Sequence, residues 1–349
     1  MGLKIAVVGA TGAVGKQLLS ILAERKFPVT ELIPFSSPRS EGKEITYLGK
    51  TYRCQVMRKG CFDGIDMAFF DASDAVSKEW APQAAASGTW VIDNSATFRM
   101  APESLLIVPE VNGELLRQKI KANPQPFIIT GPNCSTVQMV MALKPLRDHF
   151  GIKRVVVSTY QSVSGAGAAA MEELHAQTSG VFSKNKIPPQ AFAHQIAFNC
   201  IPHIGGFKAD GYTSEEQKMM QETRKLLGMP DLKITATAVR VPVFSCHSES
   251  INVECGKTLQ LEKVRQVLNE QPGVILQDSP GENIYPMPSP GEQSKVEGGS
   301  GKDAVYVGRV RLDDSVENGL NFWVVSDNLR KGAALNAVQI GEILVQALF

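Results

Sequence analysis

Lys4-Ile5-Ala6-Val7-Val8-Gly9-Ala10-Thr11-Gly12-Ala13-Val14-Gly15 is the stretch on which the fold turns. Five residues with a strongly apolar tail run into a glycine, and two more glycines follow at intervals of three. An apolar run this short and continuous predicts a strand buried on both faces, as in a parallel sheet. The residues after it, Val14, Leu18, Leu19, Ile21 and Leu22, recur at helical spacing and predict a helix with one broad apolar face. Strand, glycine turn and helix in that order form a dinucleotide-binding unit. The glycines allow a tight turn and let main-chain N–H groups approach a pyrophosphate at the helix start. Gly9, Thr11, Gly12, Ala13 and Val14 are the cofactor-binding candidates here, against the plainer reading of a turn that only packs helix on sheet.

Outward from this unit the alternation continues. Leu32–Phe35, Met67–Phe70, Trp90–Ile92 and Phe127–Ile129 read as strands, and Asp74–Ser87 as a helix between two of them. Strands alternating with helices predict an α/β domain over residues 1–130. After Gly131 the strands become longer and richer in β-branched residues: Val155–Gln161, Ile234–Val243, Ser250–Glu254, Val305–Arg311 and Leu320–Val325. Few helices separate the later ones, which predicts a mixed or antiparallel sheet over residues 131–328. Helices are expected at Thr136–Asp148 (ended or kinked by Pro145), Ala168–Thr178 and Thr213–Leu227. The polar stretch Gly291–Lys302 reads as a mobile loop. The amphipathic end of the chain, within 329–349, predicts a terminal helix that completes the first domain. The fold class is therefore α/β, a Rossmann-type doubly wound domain followed by an α+β domain.

Composition bounds the function. The chain has 349 residues, enough for two domains, with 43% hydrophobic residues to core them. A net charge of +1 gives no bulk attraction to nucleic acid or to a membrane surface. No stretch approaches the roughly 20 apolar residues of a membrane span, and no signal-peptide pattern opens the chain. Six scattered cysteines (54, 61, 134, 200, 246, 255) form no CxxC pair and match no zinc spacing. A reducing, cytoplasmic setting is the simplest expectation, and no metal is expected.

The end of the second strand bears on the cofactor. An NAD site presents a carboxylate there to the ribose 2′-hydroxyl. Here the residues are Phe35-Ser36-Ser37-Pro38-Arg39-Ser40, and Glu31 lies at the far end of the strand. Ser36, Arg39 and Ser40 suit a 2′-phosphate instead, so NADP is expected; the bland alternative is that Arg39 is a solvated loop charge.

Gly131-Pro132-Asn133-Cys134-Ser135-Thr136 places Cys134 between a strand and a helix, at or beside a helix N-terminus. Partial positive charge there favours the thiolate, the nucleophilic form. Cys54, Cys61, Cys200 and Cys255 are read as small buried hydrophobes.

Several runs together resemble the aspartate-semialdehyde dehydrogenase family: Pro132-Asn133-Cys134-Ser135-Thr136, Tyr160–Gly167 (YQSVSGAG), Gly211–Met219 (GYTSEEQKM), Arg240-Val241-Pro242-Val243, His247-Ser248-Glu249, and Asn94–Arg99 (NSATFR). They occur in family order over nearly the whole chain. The resemblance implies reversible reductive dephosphorylation of L-4-aspartyl phosphate to L-aspartate 4-semialdehyde, with NADPH and a thioester on Cys134. It implies an acid/base role for His247, whose imidazole would titrate near neutrality, and a substrate-orienting role for Gln161. Arg240 would bind the substrate carboxylate and Glu215 its ammonium. Arg99 and Lys218 would hold phosphate, and Asn133 belongs with the substrate-binding set. Ser164, Gly165 and Asn328 would lie near the nicotinamide. Read from spacing alone, Glu215 and Lys218 are an ordinary surface ion pair. His149, His175, His194 and His203 carry no assigned role. The resemblance further implies at least a homodimer, small-molecule substrates, and a place in making lysine, threonine, methionine and diaminopimelate. The rival readings are an N-acetyl-glutamyl-phosphate reductase-like enzyme and an inactive NADP-binding dimerisation module.

Overall fold

The structure, a computed structural model, describes residues 2–292 and 294–349. Two compact units divide the chain: residues 1–133 with 333–349, and residues 134–332. No described helix is long and apolar enough to cross a membrane.

The first unit is built on six parallel strands. In chain order they are β1 (Leu3–Val8), β2 (Val29–Phe35), then after a small antiparallel hairpin of β3 (Glu44–Tyr47) and β4 (Lys50–Arg53), β5 (Met67–Phe70), β6 (Trp90–Asp93), β7 (Leu105–Leu106) and β8 (Ile128–Thr130). The sheet order is β2-β1-β5-β6-β8-β7, and every pair in it is parallel. Alternation within β1 and β5 explains why both read as unbroken apolar runs. Ile5, Val7, Met67 and Phe69 face one core layer, with Leu18, Ile21 and Leu22 of α1 (Ala13–Glu24) and Leu335, Val338 and Ile340 of the C-terminal helix (Leu335–Leu348). Ala6, Val8, Ala68 and Phe70 face the other, with Ala81 and Ala84 of α2 (Asp74–Ala86). Each large side chain buried this way contributes about 1.5–3 kcal/mol. The helix α3 (Pro109–Ala122) was not among the expected elements; Leu116 and Ile120 anchor it in the first layer.

Just after β5, Asp71 is half-buried, with its Oδ2 shut off from solvent. Asn94 Nδ2 donates to its Oδ1 at 2.6 Å, and its Oδ2 has no partner. Burial pushes its pKa up to about 7, helped by the charge on Asp93 and opposed by the Asn94 bond. Between its ordinary value of 3.8 and about 7, the folded state holds a proton that the unfolded chain releases. Stability is therefore lost as pH rises through that window, by an upper limit of about 4 kcal/mol. Asp71→Asn is expected to raise the melting temperature by several degrees at pH 8 and to leave it unchanged at pH 4. Equal shifts at both pH values would show that the carboxyl is not neutral when folded.

The second unit starts with α4 (Cys134–Phe150), then β9 (Ile152–Gln161), α5 (Ala168–Phe182), α6 (Ser214–Leu227), β10 (Lys233–Arg240), β11 (His247–Cys255), α7 (Leu261–Glu270), β12 (Val274–Leu276), β13 (Val305–Asp313) and β14 (Gly319–Ser326). The sheet order is β10-β9-β11-β14-β13-β12. β10 with β9 and β12 with β13 are parallel, and the three central pairs are antiparallel, so the sheet is mixed. Helices α4, α6 and α7 pack on one face. Along β9 the residues facing them, Val155, Val157, Thr159 and Gln161, are buried, while Arg154, Val156, Ser158 and Tyr160 are half-buried or exposed.

Three expectations need correcting. Pro145 does not end its helix: α4 continues to Phe150. A missing N–H and a ring clash cost a helix about 3 kcal/mol, but α4 is buried from Ser135 to Leu143, and packing outweighs that cost. The stretch expected as a free loop at 291–302, of which residue 293 lies outside the described residues, holds no helix or strand yet is tied down. Gly299 N–H donates to Met287 O at 3.0 Å, Gly301 N–H donates to Asp327 Oδ2 at 2.7 Å, and Val296 is buried. Cys200, expected to be buried, is exposed.

Candidate active site

The polar residues singled out in the second unit converge through strand register. Arg240 pairs with Gln161, Gln161 with His247, and His247 with Ser326. These four residues form one row across β10, β9, β11 and β14, and the alternation of side chains puts them on one face. It is the face on which α4 packs, and Cys134 is the first residue of α4. The nucleophile candidate thus stands at a helix N-terminus, half-buried.

Charge is arranged around the sulfur. Arg240 is 6% exposed. Burial lowers its pKa, while negative charge at Cys134 and at Glu215 acts the other way. Its Nη1 also donates to Ser162 O at 2.6 Å. A cation and a helix N-terminus beside one thiol both favour the thiolate.

Glu215 and Lys218 lie three apart on α6, their charged ends 3.9 Å apart, and Gln161 Nε2 donates to Glu215 Oε1 at 3.3 Å. The helix is fixed at its start by a capping box that the sequence reading missed, although Thr213-x-x-Glu216 carries its signature. Thr213 N donates to Glu216 Oε2 at 2.7 Å and Glu216 N donates to Thr213 Oγ1 at 3.3 Å. Glu216 Oε1 also accepts from Ala238 N at 2.9 Å, so one carboxylate ties the helix carrying Glu215 to the strand carrying Arg240.

His247 is completely buried. Burial, reinforced by the Arg240 charge, pushes its pKa down to about 3, with the Cys246 carbonyl opposing weakly. This runs against the expectation of an imidazole titrating near neutrality, because burial disfavours the imidazolium. Its Nδ1 accepts from Ser162 N at 3.1 Å, and its Nε2 has no partner among the described residues.

Ser164 is buried, while Gly165 is exposed. A Cβ at Gly165 would sit 3.1 Å from Arg240 Nη1 and 3.2 Å from His247 Nε2, so only hydrogen keeps this approach open. Gly165→Ala is expected to lower kcat/KM about tenfold with an unchanged melting temperature, since contacts a few tenths of an ångström too short displace the groups that must be placed. Steady-state rates beside thermal unfolding test this. Asn328 is buried, and its Oδ1 accepts from Ser162 Oγ at 3.2 Å, Ser164 Oγ at 3.1 Å and Cys246 N at 3.0 Å.

The remaining candidates belong to the first unit. Arg99 is buried, and its Nη2 donates to Asn94 O at 2.7 Å. Asp93 organises this loop by accepting from Ser77 Oγ at 2.9 Å, Ser95 N at 2.9 Å and Ser95 Oγ at 2.8 Å. Asn133 is buried just before Cys134. Gly9 adopts φ +91, and a Cβ there would lie 2.2 Å from Asp71 O, so the turn admits glycine alone. Gly12 caps α1 without a side-chain hydrogen bond, and no acidic residue lies in its first turn. Those N–H groups fit a pyrophosphate, beside Thr11, Ala13 and Val14. Ser36 is buried, Arg39 is exposed in a short 3₁₀ turn, and Ser40 is half-buried. Glu31 pairs with Lys4 at 3.2 Å at the opposite end of β2.

A family profile described as "Semialdehyde dehydrogenase, NAD binding domain" matches residues 4–119, and one described as "Semialdehyde dehydrogenase, dimerisation domain" matches residues 143–331. The aspartate-semialdehyde dehydrogenase of Aquifex aeolicus (strain VF5) is 53% identical over 348 residues, 99% of either chain. The chain belongs to the aspartate-semialdehyde dehydrogenase family. Aspartate-semialdehyde dehydrogenase II of Vibrio cholerae, solved complexed with ASA, superposes with a TM-score of 0.92 at 44% identity over 100% of both chains. The aspartate-semialdehyde dehydrogenase of Candida albicans, solved with NADP, superposes at 0.74 with 25% identity over 99% of both. As an aspartate-semialdehyde dehydrogenase the chain is an oxidoreductase of amino-acid biosynthesis with a nicotinamide-binding α/β domain and a second mixed-sheet domain.

Proposed function

We propose that this chain carries out NADPH-dependent reductive dephosphorylation of L-4-aspartyl phosphate through Cys134, supplying lysine, threonine, methionine and diaminopimelate synthesis. The observation that supports this reading is the register that sets Arg240 beside Gln161 and Gln161 beside His247, with Cys134 at the start of α4 and its charge acting on Arg240.

Cys134 attacks the acyl carbon. The carbon–oxygen bond to phosphate breaks, its electron pair leaves with phosphate, and a thioester remains. Arg240, with its planar fork, binds the substrate α-carboxylate, and Glu215 holds the ammonium. Gln161 orients the substrate near the sulfur without adding a charge. Arg99 and Lys218 receive the phosphate, and Asn133, next to Cys134 in sequence, belongs with the substrate-binding set. NADPH, when bound, supplies the hydride that reduces the thioester. The thiohemiacetal so formed on Cys134 collapses to the aldehyde and returns the thiolate. Ser36, Arg39 and Ser40 hold the 2′-phosphate, and the turn from Gly9 to Val14 holds the pyrophosphate.

A homodimer formed through the helix-free face of the second sheet is part of this reading. Tyr160 and Trp323 meet there at a tilt of 47° with ring centroids 5.2 Å apart, the kind of aromatic pair that anchors interfaces.

The test is phosphate-dependent reduction of NADP by aspartate semialdehyde, repeated with NAD. Turnover requiring phosphate is expected, with kcat/KM at least tenfold higher for NADP. Arg39→Ala should raise the KM for NADP about tenfold, the worth of one charge-assisted bond, and leave NAD unaffected. Turnover of N-acetyl-glutamate semialdehyde in place of the free amino acid would refute the substrate assignment.

A further inference from the structure

Beneath the row of site residues lies a second polar layer. Gln138 stands one turn behind Cys134 on α4, at the i, i+4 spacing that shares a helix face. Glu249 stands two residues behind His247 on β11, on the same side of the sheet. α4 packs on β9, β11, β13 and β14, and the Gln138 amide acts on the Glu249 carboxyl across that contact. Gln138 is 1% exposed and Glu249 is completely buried. Both carboxyl oxygens of Glu249 and both polar atoms of the Gln138 amide lack a hydrogen-bond partner among the described residues. So does Ser326 Oγ, diagonal to Glu249 across the register of β11 and β14. Buried polar atoms are almost always bonded, because an unmet one suffers its whole desolvation. Polar atoms gathered in this way suit a buried water, which makes about three bonds to such groups. No cation among the described residues pairs with Glu249. Its sheet neighbours are Thr159 on β9 and Val324 on β14, and the titratable groups of its two flanking elements are Cys134 on α4 and His247 on β11. Burial pushes the carboxyl well above the usual carboxylate range, with the Gln138 amide opposing, so Glu249 sits there as a neutral acid.

We propose that Gln138 and Glu249 are positioning residues, which key α4 to β11 through bridging water and so set where Cys134 stands. This rests on the proposed function of the same site. The rest of the α4 face does not supply such a key. Val137, Met139, Val140, Met141 and Leu143 are completely buried, but apolar packing is non-directional, most of all for the unbranched, adaptable methionine. A helix held by those contacts alone can turn or slide slightly with little penalty, and a small displacement of a nucleophile lowers the rate steeply. Hydrogen bonds constrain both distance and angle. A neutral carboxyl can donate and accept, as the amide can, so the link closes without a net charge one turn behind the sulfur. An ionised carboxylate at that place would oppose the thiolate. The arrangement lowers stability at neutral pH. From its ordinary value of 4.5 upward the folded state keeps a proton that the unfolded chain releases, so stability falls as pH rises towards the raised value.

The full-length protein is compared with Glu249→Gln, Glu249→Met, Gln138→Met and the double methionine variant. The infrared spectrum at neutral pH should show the carbonyl stretch of a protonated carboxylic acid that Glu249→Gln lacks; identical spectra would mean an ionised Glu249 and overturn the proposal. In the semialdehyde assay Glu249→Gln, which keeps a donor and an acceptor, should hold kcat within about threefold of wild type. Each methionine variant should lower kcat about tenfold at unchanged KM. The double variant should lose no more than either single one, because both break the same link. Melting temperatures of the methionine variants at neutral pH should equal or exceed wild type, since an apolar side chain of similar volume replaces a buried polar one. Wild-type kcat in both methionine variants removes the positioning role. A lower kcat accompanied by a lower melting temperature marks packing damage instead, and additive losses show that the two residues act apart. Should a methionine variant not fold, Glu249→Gln carries the test: a tenfold loss of kcat there contradicts a key made by a neutral group. A wild-type protein inactive on aspartate semialdehyde would refute the function, while the infrared band would still report the acid.

Discussion

Cys134→Ala is expected to lower kcat for phosphate-dependent semialdehyde oxidation by on the order of 10⁴-fold or more while leaving the melting temperature unchanged. The size follows from what is lost. Removing a covalent nucleophile removes the reaction path itself, and only the contribution of binding and oxyanion stabilisation is left. Stability should hold because Cys134 is half-buried at the start of its helix. Alanine there deletes one sulfur that is not part of the close-packed layer running from Val137 to Leu143. Mass spectrometry of the wild-type protein mixed with aspartyl phosphate without NADPH gives a second readout, an acyl adduct on the peptide containing Cys134. Cys134→Ala should show none. Wild-type turnover in that variant, or an adduct on Cys246, would move the chemistry elsewhere. The latter is chemically disfavoured, since Cys246 is completely buried and burial, with the Asp327 charge, raises its thiol far above the ordinary range.

How much of this site could be read from the chain depends on whether the information was local. The turn at Gly9–Gly15 was legible because strand, turn and helix are contiguous there, and each residue's task depends on its near neighbours. The same holds for Cys134 at a helix start and for Glu215 and Lys218 on one helix face. The row Arg240–Gln161–His247–Ser326 was not legible from spacing. Its members lie on four strands whose pairing is fixed by the packing of α4, α6 and α7, and only the family resemblance had grouped the first three. Ser326 and Ser162 went unnoticed, because a serine's task at a strand end depends on what register sets beside it. The basicity of His247 was misjudged for the same reason: complete burial and a neighbouring guanidinium are tertiary facts. Pro145 failed as a helix terminator because a local rule met a helix whose burial outweighs it.

Arg240 separates two contributions that the other residues confound, recognition of a carboxylate and support of a thiolate. Arg240→Lys retains a cation but replaces a planar five-donor fork by a point charge. Losing one arm of a buried bidentate pair costs about 3–4 kcal/mol, so kcat/KM for aspartate semialdehyde should fall on the order of 10²- to 10³-fold, mostly in KM. The Cys134 thiolate should survive, since the charge facing it remains. Arg240→Leu removes both. Without the cation the Cys134 thiol pKa must rise, because the guanidinium favours its charged form. The rate of Cys134 alkylation by iodoacetamide against pH reads this directly: the curve should move to higher pH by one unit or more in Arg240→Leu and stay near wild type in Arg240→Lys. The serine carbonyl that Arg240 holds also loses its donor in Arg240→Leu, which loosens the segment gripping His247. The leucine variant should therefore lose kcat as well as KM, falling below the lysine variant by at least a further tenfold. If both variants lost only KM and alkylated along the wild-type curve, Arg240 would be a substrate clamp alone, and support of the thiolate would rest on the N-terminus of α4.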